Sequence, residues 1–242
     1  IRDSIIIGMA GAGTRFKEEG YTVPKPLVRV GGTTMIQSAV ESLDIDGTYI
    51  FVVQQEHMTN YPWLEKHLRS FADVVNIVTL DHVTEGAACS LLKAKEYINN
   101  DEPLISINSD QVLHWDSSMF LQKCKLEPHV SWVMTYPHNH NKHSFVKVNE
   151  EGHITEAAEK VAISNMATVG LYHWSKGSLF VKGAEQMIAN NDRHNNEFYL
   201  APIYNYTLKD CIVKPYEVEA HNFSPVGTPP DLSNYHNTWW KN

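Results

Sequence analysis

The sequence has little cysteine, no long apolar run and no excess of basic charge. Its three cysteines, Cys89, Cys124 and Cys211, are too few and too scattered for a disulfide framework or a cysteine-based zinc site. No stretch approaches the roughly 18 apolar residues of a membrane span. With 20 Lys and Arg against 28 Asp and Glu, the net charge of −8 argues against a protein that coats nucleic acid by charge alone. We therefore expect a cytoplasmic protein that acts without nucleic acid or membrane.

Apolar residues are plentiful enough for a large core. They make up 43% of the 242 residues, which excludes a disordered chain and suits one large α/β domain or two small ones. In the first half, strands are predicted at 4–9, 49–53, 74–80 and 103–107, and helices at 34–43, 63–71 and 86–98. Such alternation implies parallel strands joined by right-handed crossovers.

The second half has a different pattern. Strands are predicted at 130–136, 144–148, 153–158, 167–174 and 212–218, and a helix at 177–189. The polar residues 149–152 lie between two of these strands and indicate a hairpin. We expect an antiparallel addition that packs on the first half and carries a second substrate, with a boundary near residue 128.

Three features fall at the carboxyl ends of predicted strands, where ligands bind in sheets of this kind. A glycine-rich loop follows the first strand, the turn at 84–86 follows the third, and Asp110 follows the fourth. Because these ends meet at one edge of a parallel sheet, the sequence predicts a single binding site there.

The glycine-rich loop reads GMAGAGTRF over residues 8–16. Three glycines directly after an apolar strand favour backbone amides that approach phosphate oxygens, since glycine allows close approach and positive φ. The loop is not a Walker A motif, because no Gly-Lys-Ser/Thr follows, and it lacks the third glycine of a dinucleotide fingerprint. A plain tight turn is the alternative. Lys25 follows between two prolines that restrict its backbone, and a solvated surface lysine is its alternative.

The loop, the PKPL sequence at 24–27 and the GGTTMI sequence at 31–36 together strongly resemble the sugar-1-phosphate nucleotidyltransferase family. The match runs from Ile5 to about Leu232. This resemblance implies an α/β fold: a Rossmann-like, mostly parallel sheet sandwiched by helices, with an antiparallel acceptor-binding addition in the second half. It implies a single domain over 1–242, in which residues 1–128 bind the nucleotide and residues 129–242 bind the acceptor.

The same resemblance implies Mg²⁺ as cofactor and a reaction in which an NTP and a sugar 1-phosphate give an NDP-sugar and pyrophosphate. The partners would be an NTP and a phosphorylated small-molecule acceptor, and a homo-oligomer is compatible with the sequence. The nucleophile would be a phosphate oxygen with a second pKa of about 6, which needs no general base. The enzyme must instead bring two polyanions together and stabilise charge at the α-phosphorus and on the leaving pyrophosphate, which calls for cations and amides.

Site residues carry over from the family one by one. The resemblance gives catalytic roles to Arg15, Lys25, Asp110 and Lys160. It gives nucleotide contacts to Ala10, Gly11, Ala12, Gly13, Thr14, Arg15, Thr84, Gly86, Ala87 and Asp110. It gives acceptor contacts to Lys25, Glu159, Lys160, Gly170 and Glu197. Arg15 would hold the β and γ phosphates and Asp110 would ligate Mg²⁺, while Lys160 would bind the acceptor phosphate.

Structural alternatives stand beside several of these roles. Asp110 and Thr84 each precede a predicted helix, so either could serve as an N-cap. Gln54 and Gln55 lie at the end of the second strand. For both, the sequence favours contact with a ligand and exposure at the surface equally.

One position departs from the family's pattern. Many relatives carry a metal-binding carboxylate two residues before the glycine of a late Gly-Thr pair, where this chain has Pro225, which cannot ligate. Glu219, His221 or Asp231 could substitute, or water could fill the shell.

Three histidines form the other candidate metal site. His138, His140 and His143 have a spacing that could bind zinc or nickel. Their loop, residues 137–143, is polar and has no carboxylate nearby, which favours a solvated loop.

Two other functions remain open. One keeps the nucleotidyl transfer and changes the acceptor, as in a cytidylyltransferase that acts on phosphocholine or a phosphonate. Trp115, Trp132, Tyr172 and Trp174 could supply an aromatic cage for a quaternary ammonium group. The other is a nucleotide-binding regulatory domain without turnover, which Pro225 alone favours.

Overall fold

The computed structural model of the protein describes residues 2–240. Its strands are β1 (Ser4–Met9), β2 (Arg29–Val30), β3 (Thr33–Thr34), β4 (Thr48–Gln54), β5 (Val74–Leu80), β6 (Leu104–Asn108), β7 (Gln111–Leu113), β8 (Val130–Pro137), β9 (Ser144–Val148), β10 (Ile154–Glu159), β11 (Met166–Trp174), β12 (Ile212–Glu217) and β13 (Phe223–Pro225). Its helices are α1 (Thr14–Glu18), α2 (Met35–Leu43), α3 (Gln55–Asn60), α4 (Leu64–Arg69), α5 (Ala87–Leu92), α6 (Lys95–Ile98), α7 (Ser117–Leu126), α8 (Gly177–Ala189) and α9 (Pro229–Trp239). Short 3-10 turns cover Lys25–Leu27, Ala201–Tyr206 and Ala220–Asn222.

One nine-stranded sheet runs through both halves of the chain. Its central strands lie in the order β6-β1-β4-β5 and are parallel, as the strand–helix alternation predicts. β11 joins antiparallel to β6 and also pairs with β8 and β9, and β10 pairs with β9. The predicted antiparallel addition therefore continues the same sheet edge to edge, although its β8–β12 pair is parallel.

Helices cover both faces of this sheet. Ile6 of β1 packs in a core with α5 and α8, whereas Ile5 and Ile7 pack on the opposite face with α2 and α4. Successive side chains of a strand point to opposite faces, so the continuous apolar run of β1 is buried on both. The predicted sandwich of a parallel sheet between helices is confirmed.

The prediction of one continuous helix over 86–98 is wrong. The structure divides this stretch into α5 and α6. Between them, the Lys93 N–H donates to the Ser90 carbonyl at 3.2 Å, and the Ala94 N–H donates to the Leu91 carbonyl at 3.0 Å. Such i→i−3 bonds tighten the chain into a 3-10 turn. The apolar spacing that predicted the helix still holds, because Leu91, Ala94 and Ile98 are buried in the same core.

Other predicted elements agree closely with the structure. The helix predicted over 177–189 is confirmed at both ends, and antiparallel pairing of β9 with β10 confirms the hairpin around 149–152. The three cysteines carry free thiols. Within residues 2–240, no helix has both the length and the apolar character needed to cross a membrane.

Candidate active site

An open cleft of about 520 Å³ lies where β1 and β6 end. Both halves of the chain contribute to its walls. The predicted site residues that line it are Ala10, Gly11, Ala12, Thr84, Gly86, Ala87, Asp110, Glu159, Gly170 and Glu197. The structure thus brings together residues from the glycine-rich loop, the turn after β5, the end of β6 and the second half, as the shared sheet edge predicts.

The glycine-rich loop forms one wall of the cleft. Gly13 has φ 63° and ψ 35°, in the left-handed region, and it is the N-cap of α1. A Cβ on Gly13 would lie 3.2 Å from the Cβ of Lys25, so both the backbone and the neighbouring segment favour glycine. Thr14 and Arg15 begin α1 and are exposed, and with Gly13 they lie outside the immediate lining of the cleft.

Lys25 and Asp110 form an ion pair at the edge of the cleft. Lys25 Nζ lies 2.8 Å from Asp110 Oδ2, and both side chains remain partly exposed, at 26% and 32%. The interpretation of Asp110 as a helix cap is wrong, because β7 follows it and α7 is capped by Asp116, whose carboxylate accepts from the Ser118 N–H at 3.0 Å. This ion pair joins residues 85 positions apart in the sequence and holds a lysine ammonium group against a carboxylate that lines the cleft.

The late segment that lacks the family's carboxylate lies beside Asp110. β13 pairs with β7 so that Pro225 is opposite Gln111, and the Val226 N–H donates to the Asp110 carbonyl at 2.9 Å. A Cβ on Gly227 would lie 2.5 Å from Asp110 Oδ2, so a side chain at this position would displace the Asp110 carboxylate. Pro225 is therefore next to the candidate metal ligand but supplies no ligand of its own.

The three residues considered as substitutes have other surroundings. Glu219 takes part in the capping box of the Ala220–Asn222 turn. His221 lies within that turn and is exposed. Asp231 is in the first turn of α9, where an acidic side chain complements the helix dipole. None of the three lines the cleft as the structure describes it.

The donor set at Asp110 fits Mg²⁺. Magnesium keeps several waters and binds through one or two carboxylates together with substrate phosphates. Asp110 supplies a carboxylate to the same cleft that the glycine-rich loop lines. In residues 2–240, no three or more His, Cys, Asp or Glu side chains are grouped to hold a metal by protein ligands alone, and this includes the histidine loop. The site therefore suits an ion that the nucleotide's own oxygens help to bind.

The turn before α5 forms a second wall. Gly86 has φ 134°, and a Cβ there would lie 2.5 Å from the carbonyl oxygen of Phe198, so glycine is required. Gly86 is the N-cap of α5. Thr84 Oγ1 donates to the Gly86 carbonyl at 2.9 Å and lies 2.6 Å from Ser90 Oγ. The interpretation of Thr84 as the cap is wrong, because the helix begins at Ala87.

Glu159 and Lys160 bring the second half to the cleft. Glu159 ends β10, lines the cleft and accepts a hydrogen bond from the Ser144 hydroxyl on β9. Lys160 has φ 55°, which is unusual for a residue other than glycine, and its N–H donates to the His143 carbonyl at 3.0 Å. Its Nζ lies 5.4 Å from the centre of the Tyr199 ring. Backbone held in a sparsely populated region is a feature of binding sites, and here it positions a cation beside the cleft.

Burial raises the pKa of Glu159, and this outweighs the opposing effects of the Ser144 hydrogen bond and the Lys160 charge. The folded protein therefore holds this proton more tightly than the unfolded chain does. The resulting stability is fully present below the unfolded pKa and is lost as pH rises through the folded pKa. We expect Glu159→Gln, which keeps the shape and removes the charge, to gain stability relative to the wild type as pH rises from the ordinary pKa of glutamate through the raised pKa of Glu159.

Chemical denaturation across that pH range tests this expectation. Glu156→Gln is the matched control, because Glu156 is on the same strand and exposed. Parallel pH profiles for Glu159→Gln and the wild type would contradict it.

A loop after α8 closes the far side of the cleft through Glu197 and Tyr199. The Tyr199 hydroxyl donates to Glu197 Oε2 at 2.8 Å. Arg193 Nη1 donates to Glu85 Oε1 at 3.0 Å, and its guanidinium lies 4.3 Å from the centre of the Phe198 ring. These contacts fasten the loop to the turn before α5, so the two walls are joined.

Gly170 lies where β11 passes the end of β6. It has φ 53°, and a Cβ there would lie 2.4 Å from Asn108 Nδ2 and 2.9 Å from Gln111 Oε1. The Gln111 amide donates to the Val169 carbonyl at 3.0 Å. Gly170 therefore makes room for the side chains of Asn108 and Gln111, which adds a structural reason for glycine to the predicted acceptor contact.

Several polar residues line the cleft without a predicted role. They are Ser106, Asn108, Ser109, Lys142, Ser144, Thr168 and Tyr199. Ser109 is next to Asp110 in the sequence, and Asn108, Thr168 and Tyr199 each lie two residues from a predicted site residue, which is the signal that could have found these four.

The solvated-loop prediction is wrong for one of the three histidines. His143 lines the cleft, and its Nε2 lies 2.7 Å from the Tyr136 hydroxyl. Burial, together with the charges of His138 and Lys142, lowers the pKa of His143 to about 4. His143 is therefore neutral at physiological pH, while His138 and His140 accept local backbone hydrogen bonds.

The four side chains that could supply an aromatic cage do not form one. Trp132 and Trp174 are buried in the core, and the Trp115 indole donates to the carbonyls of Ser42 and Leu43. Tyr172 lines the cleft, where burial raises its pKa to about 12. The three tryptophans serve the fold, so any aromatic contact to a ligand comes from tyrosine.

A second groove, of about 550 Å³, lies elsewhere on the molecule. Exposed aromatic side chains line it, among them Tyr21 and Trp63. Neither the glycine-rich loop nor a carboxylate of the predicted site lines it. The cleft at the strand ends is therefore the candidate active site.

Comparison with known proteins agrees with this geometry. A family model described as nucleotidyl transferase matches residues 4–237. The bifunctional protein GlmU of Aliarcobacter butzleri is 24% identical over 241 residues, which cover 96% of this chain and 52% of that protein. The mannose-1-phosphate guanylyltransferase catalytic subunit beta of Danio rerio is 29% identical over 184 residues, covering 72% of this chain and 50% of that protein. The chain thus spans about half the length of these curated relatives.

Among solved structures, the nucleoside-diphosphate-sugar pyrophosphorylase of Vibrio cholerae RC9 is similar, with a TM-score of 0.82. The two chains are 22% identical, and the alignment covers 97% of this chain and 100% of that one. Identity at this level shows a shared fold. It agrees with the central parallel sheet and flanking helices described above.

Proposed function

The chain belongs to the nucleotidyl transferase family, and from this premise we propose that it transfers a nucleotidyl group from an NTP to a sugar 1-phosphate. The products are an NDP-sugar and pyrophosphate. One observation carries the proposal: a single cleft joins the glycine-rich loop and Asp110 of the first half to Glu159 of the second. The relative named for mannose-1-phosphate supports a sugar 1-phosphate as the acceptor.

The cleft meets the needs of an attack by a phosphate oxygen on the α-phosphorus. The acceptor phosphate is its own nucleophile, because its second pKa is about 6 and no base has to remove a proton. The residues must hold the two substrates in line and balance the negative charge that gathers on the leaving pyrophosphate. In this proposal, the loop amides and Lys25 hold the NTP and balance the charge on its phosphates. Lys160 holds the acceptor phosphate.

The proposed roles follow the position of each residue. The amides of Gly11 and Ala12 bind the triphosphate, and Arg15 at the start of α1 holds its β and γ phosphates. Lys25 moves from Asp110 to the reacting phosphates. Magnesium, when bound, is held by Asp110 and neutralises charge on the phosphates.

The acceptor roles belong to the second half. Glu159 accepts hydrogen bonds from the acceptor hydroxyls, and Lys160 leaves the Tyr199 ring to bind the acceptor phosphate. The proposal thus divides one domain into a nucleotide-binding half, residues 1–128, and an acceptor-binding half, residues 129–242. It includes a cytoplasmic location, which the three free thiols support.

Gly11 offers a test of nucleotide binding that is separate from folding. A Cβ there would meet nothing within 4 Å, and its φ is not positive, so the fold does not require glycine. We expect Gly11→Ala to change the free energy of unfolding by less than about 1 kcal/mol. The Kd for NTP should rise about tenfold or more, because a methyl group would separate the amides from the phosphate oxygens.

Thermal unfolding and calorimetric NTP titration of the same samples give both values. Gly32→Ala is the control: its Cβ would make an ordinary 3.6 Å contact with Trp240, away from the cleft. Nucleotide affinity that is equal in the two variants would remove Gly11 from the binding site.

A second candidate keeps the reaction and changes the acceptor to a small cationic phosphate such as phosphocholine. The two carboxylates of Glu159 and Glu197, with Tyr172 and Tyr199, favour it, since carboxylates and aromatic faces bind ammonium groups. The missing tryptophan cage weakens it.

One experiment separates these candidates from a regulatory domain that binds nucleotide without turnover. The protein is incubated with each NTP, Mg²⁺ and a panel of sugar 1-phosphates, phosphocholine and phosphonates, and pyrophosphate release is measured. We expect release that depends on one NTP and on a sugar 1-phosphate. Release with phosphocholine alone would favour the second candidate, and nucleotide binding without release would favour the regulatory domain.

A further inference from the structure

Gln54 contacts the glycine-rich loop through its side chain. Its Nε2 donates to the carbonyl oxygens of Ala10 at 2.8 Å and Gly11 at 3.1 Å. The β1–β4 pairing ends at Met9 opposite Val53, so the sheet itself no longer fixes the loop at these residues. The Gln54 side chain continues the hydrogen bonding between the two segments to Ala10 and Gly11, beyond the last strand pair.

These two bonds fix the orientation of the loop's peptide groups. In a trans peptide, the N–H points opposite to the C=O, and residues 2–240 contain no cis peptide. The amides of Gly11 and Ala12 therefore point away from Gln54. Gly11 and Ala12 line the cleft, whereas Gln54 is not among its lining residues, so Gln54 contacts the loop from behind.

We propose that Gln54 is a positioning residue for the nucleotide. By holding the carbonyl oxygens of Ala10 and Gly11, it keeps their negative ends away from the triphosphate and turns the following amides toward it. Successive amides aimed at one point form an anion-binding concavity. This inference rests on the proposed function, because it requires a triphosphate in the cleft.

The neighbouring glutamine provides a contrast. Gln55 is the first residue of α3 and is exposed, and its Nε2 donates to Thr59 Oγ1 at 3.2 Å, within the same helix. Two adjacent residues of one type thus have different partners. From the sequence alone, ligand contact and surface exposure are equally favoured for both residues. The geometry gives Gln54 a third role, as a contact of the loop on the side away from the cleft.

The test compares Gln54→Met with Gln55→Met, a matched pair that removes the same amide from adjacent positions. Circular dichroism and thermal unfolding establish that both fold. Calorimetric titration then uses whichever of ATP, GTP, CTP, UTP and dTTP the wild type binds most tightly, with Mg²⁺. We expect Gln54→Met to raise the Kd for that NTP about tenfold or more and Gln55→Met to change it less than about twofold. The KM for the acceptor should stay unchanged in both.

Gln54→Glu keeps the shape but puts a carboxylate against two carbonyl oxygens, so it should bind the NTP more weakly than Gln54→Met. If Gln54→Met does not fold, Gln54→Glu tests the inference in its place. Equal NTP affinity in the Gln54 and Gln55 variants would overturn the inference. An equal rise in the acceptor KM would also overturn it, since it would show a general loss of structure. A wild type that binds none of the five NTPs would overturn the proposed function, and the inference with it.

Discussion

Replacing Asp110 by Asn should lower turnover at least about a hundredfold, the scale of other losses of electrostatic stabilisation in active sites. Asp110 lines the cleft together with the glycine-rich loop, and its Oδ2 lies 2.8 Å from Lys25 Nζ. The amide of Asn is a weaker ligand for Mg²⁺ and leaves Lys25 without its anionic partner. The dependence of the rate on Mg²⁺ should shift to higher concentration at the same time.

Steady-state pyrophosphate release across a Mg²⁺ titration measures both effects. Asp101→Asn is the control, because Asp101 is exposed and precedes the opposite end of β6. β13 has Pro225 beside Asp110 and supplies no second carboxylate. No side chain of β13 should therefore compensate for the lost carboxylate of Asp110. Unchanged turnover and unchanged Mg²⁺ dependence in Asp110→Asn would remove Asp110 from the mechanism.

Arg15→Ala and Lys160→Ala should each weaken the binding of a different substrate. Arg15 lies in the first turn of α1, directly after the glycine-rich loop, so its loss should raise the KM for NTP about tenfold or more, as expected for a charged hydrogen bond to phosphate. Lys160 follows Glu159 on the acceptor side, so its loss should raise the KM for the acceptor by a similar factor. Each variant should leave the other KM near the wild-type value.

Calorimetric Kd values for the two substrates complement these KM values, since KM equals Kd only when chemistry is slow. Lys147→Ala, at an exposed position on β9, controls for the loss of a lysine near the cleft. If Lys160→Ala altered only the NTP constants, the proposed division of the site between the two halves would be wrong.

The sequence predicts the sheet well because its signals are local. In the run Ser4–Met9, three consecutive isoleucines at 5–7 place apolar side chains on both faces of the sheet, which is typical of a buried parallel strand. The helix over 177–189 has a clear apolar stripe, and its observed ends agree with the prediction. The break between α5 and α6 was missed because two i→i−3 hydrogen bonds leave the apolar spacing intact.

The candidate site is only partly visible in the sequence, because its contacts join distant segments. The motifs indicate Lys25 and Asp110 separately, and the structure shows the pair. The contact of Gln54 with the glycine-rich loop spans 44 residues and has no local pattern. The Ser144 hydrogen bond to Glu159 likewise crosses from one strand to the next. Such contacts depend on strand register, which local periodicity does not specify.

The measurement that tests the central claim most directly follows the two ends of the triphosphate. The protein is incubated with Mg²⁺, a sugar 1-phosphate and an NTP that carries radioactive phosphorus at either the α or the γ position. Attack on the α-phosphorus predicts that the α label appears in a product joined to the sugar phosphate, while the γ label leaves as pyrophosphate. Transfer of the γ label to the acceptor, or recovery of both labels in unreacted NTP, would contradict the account.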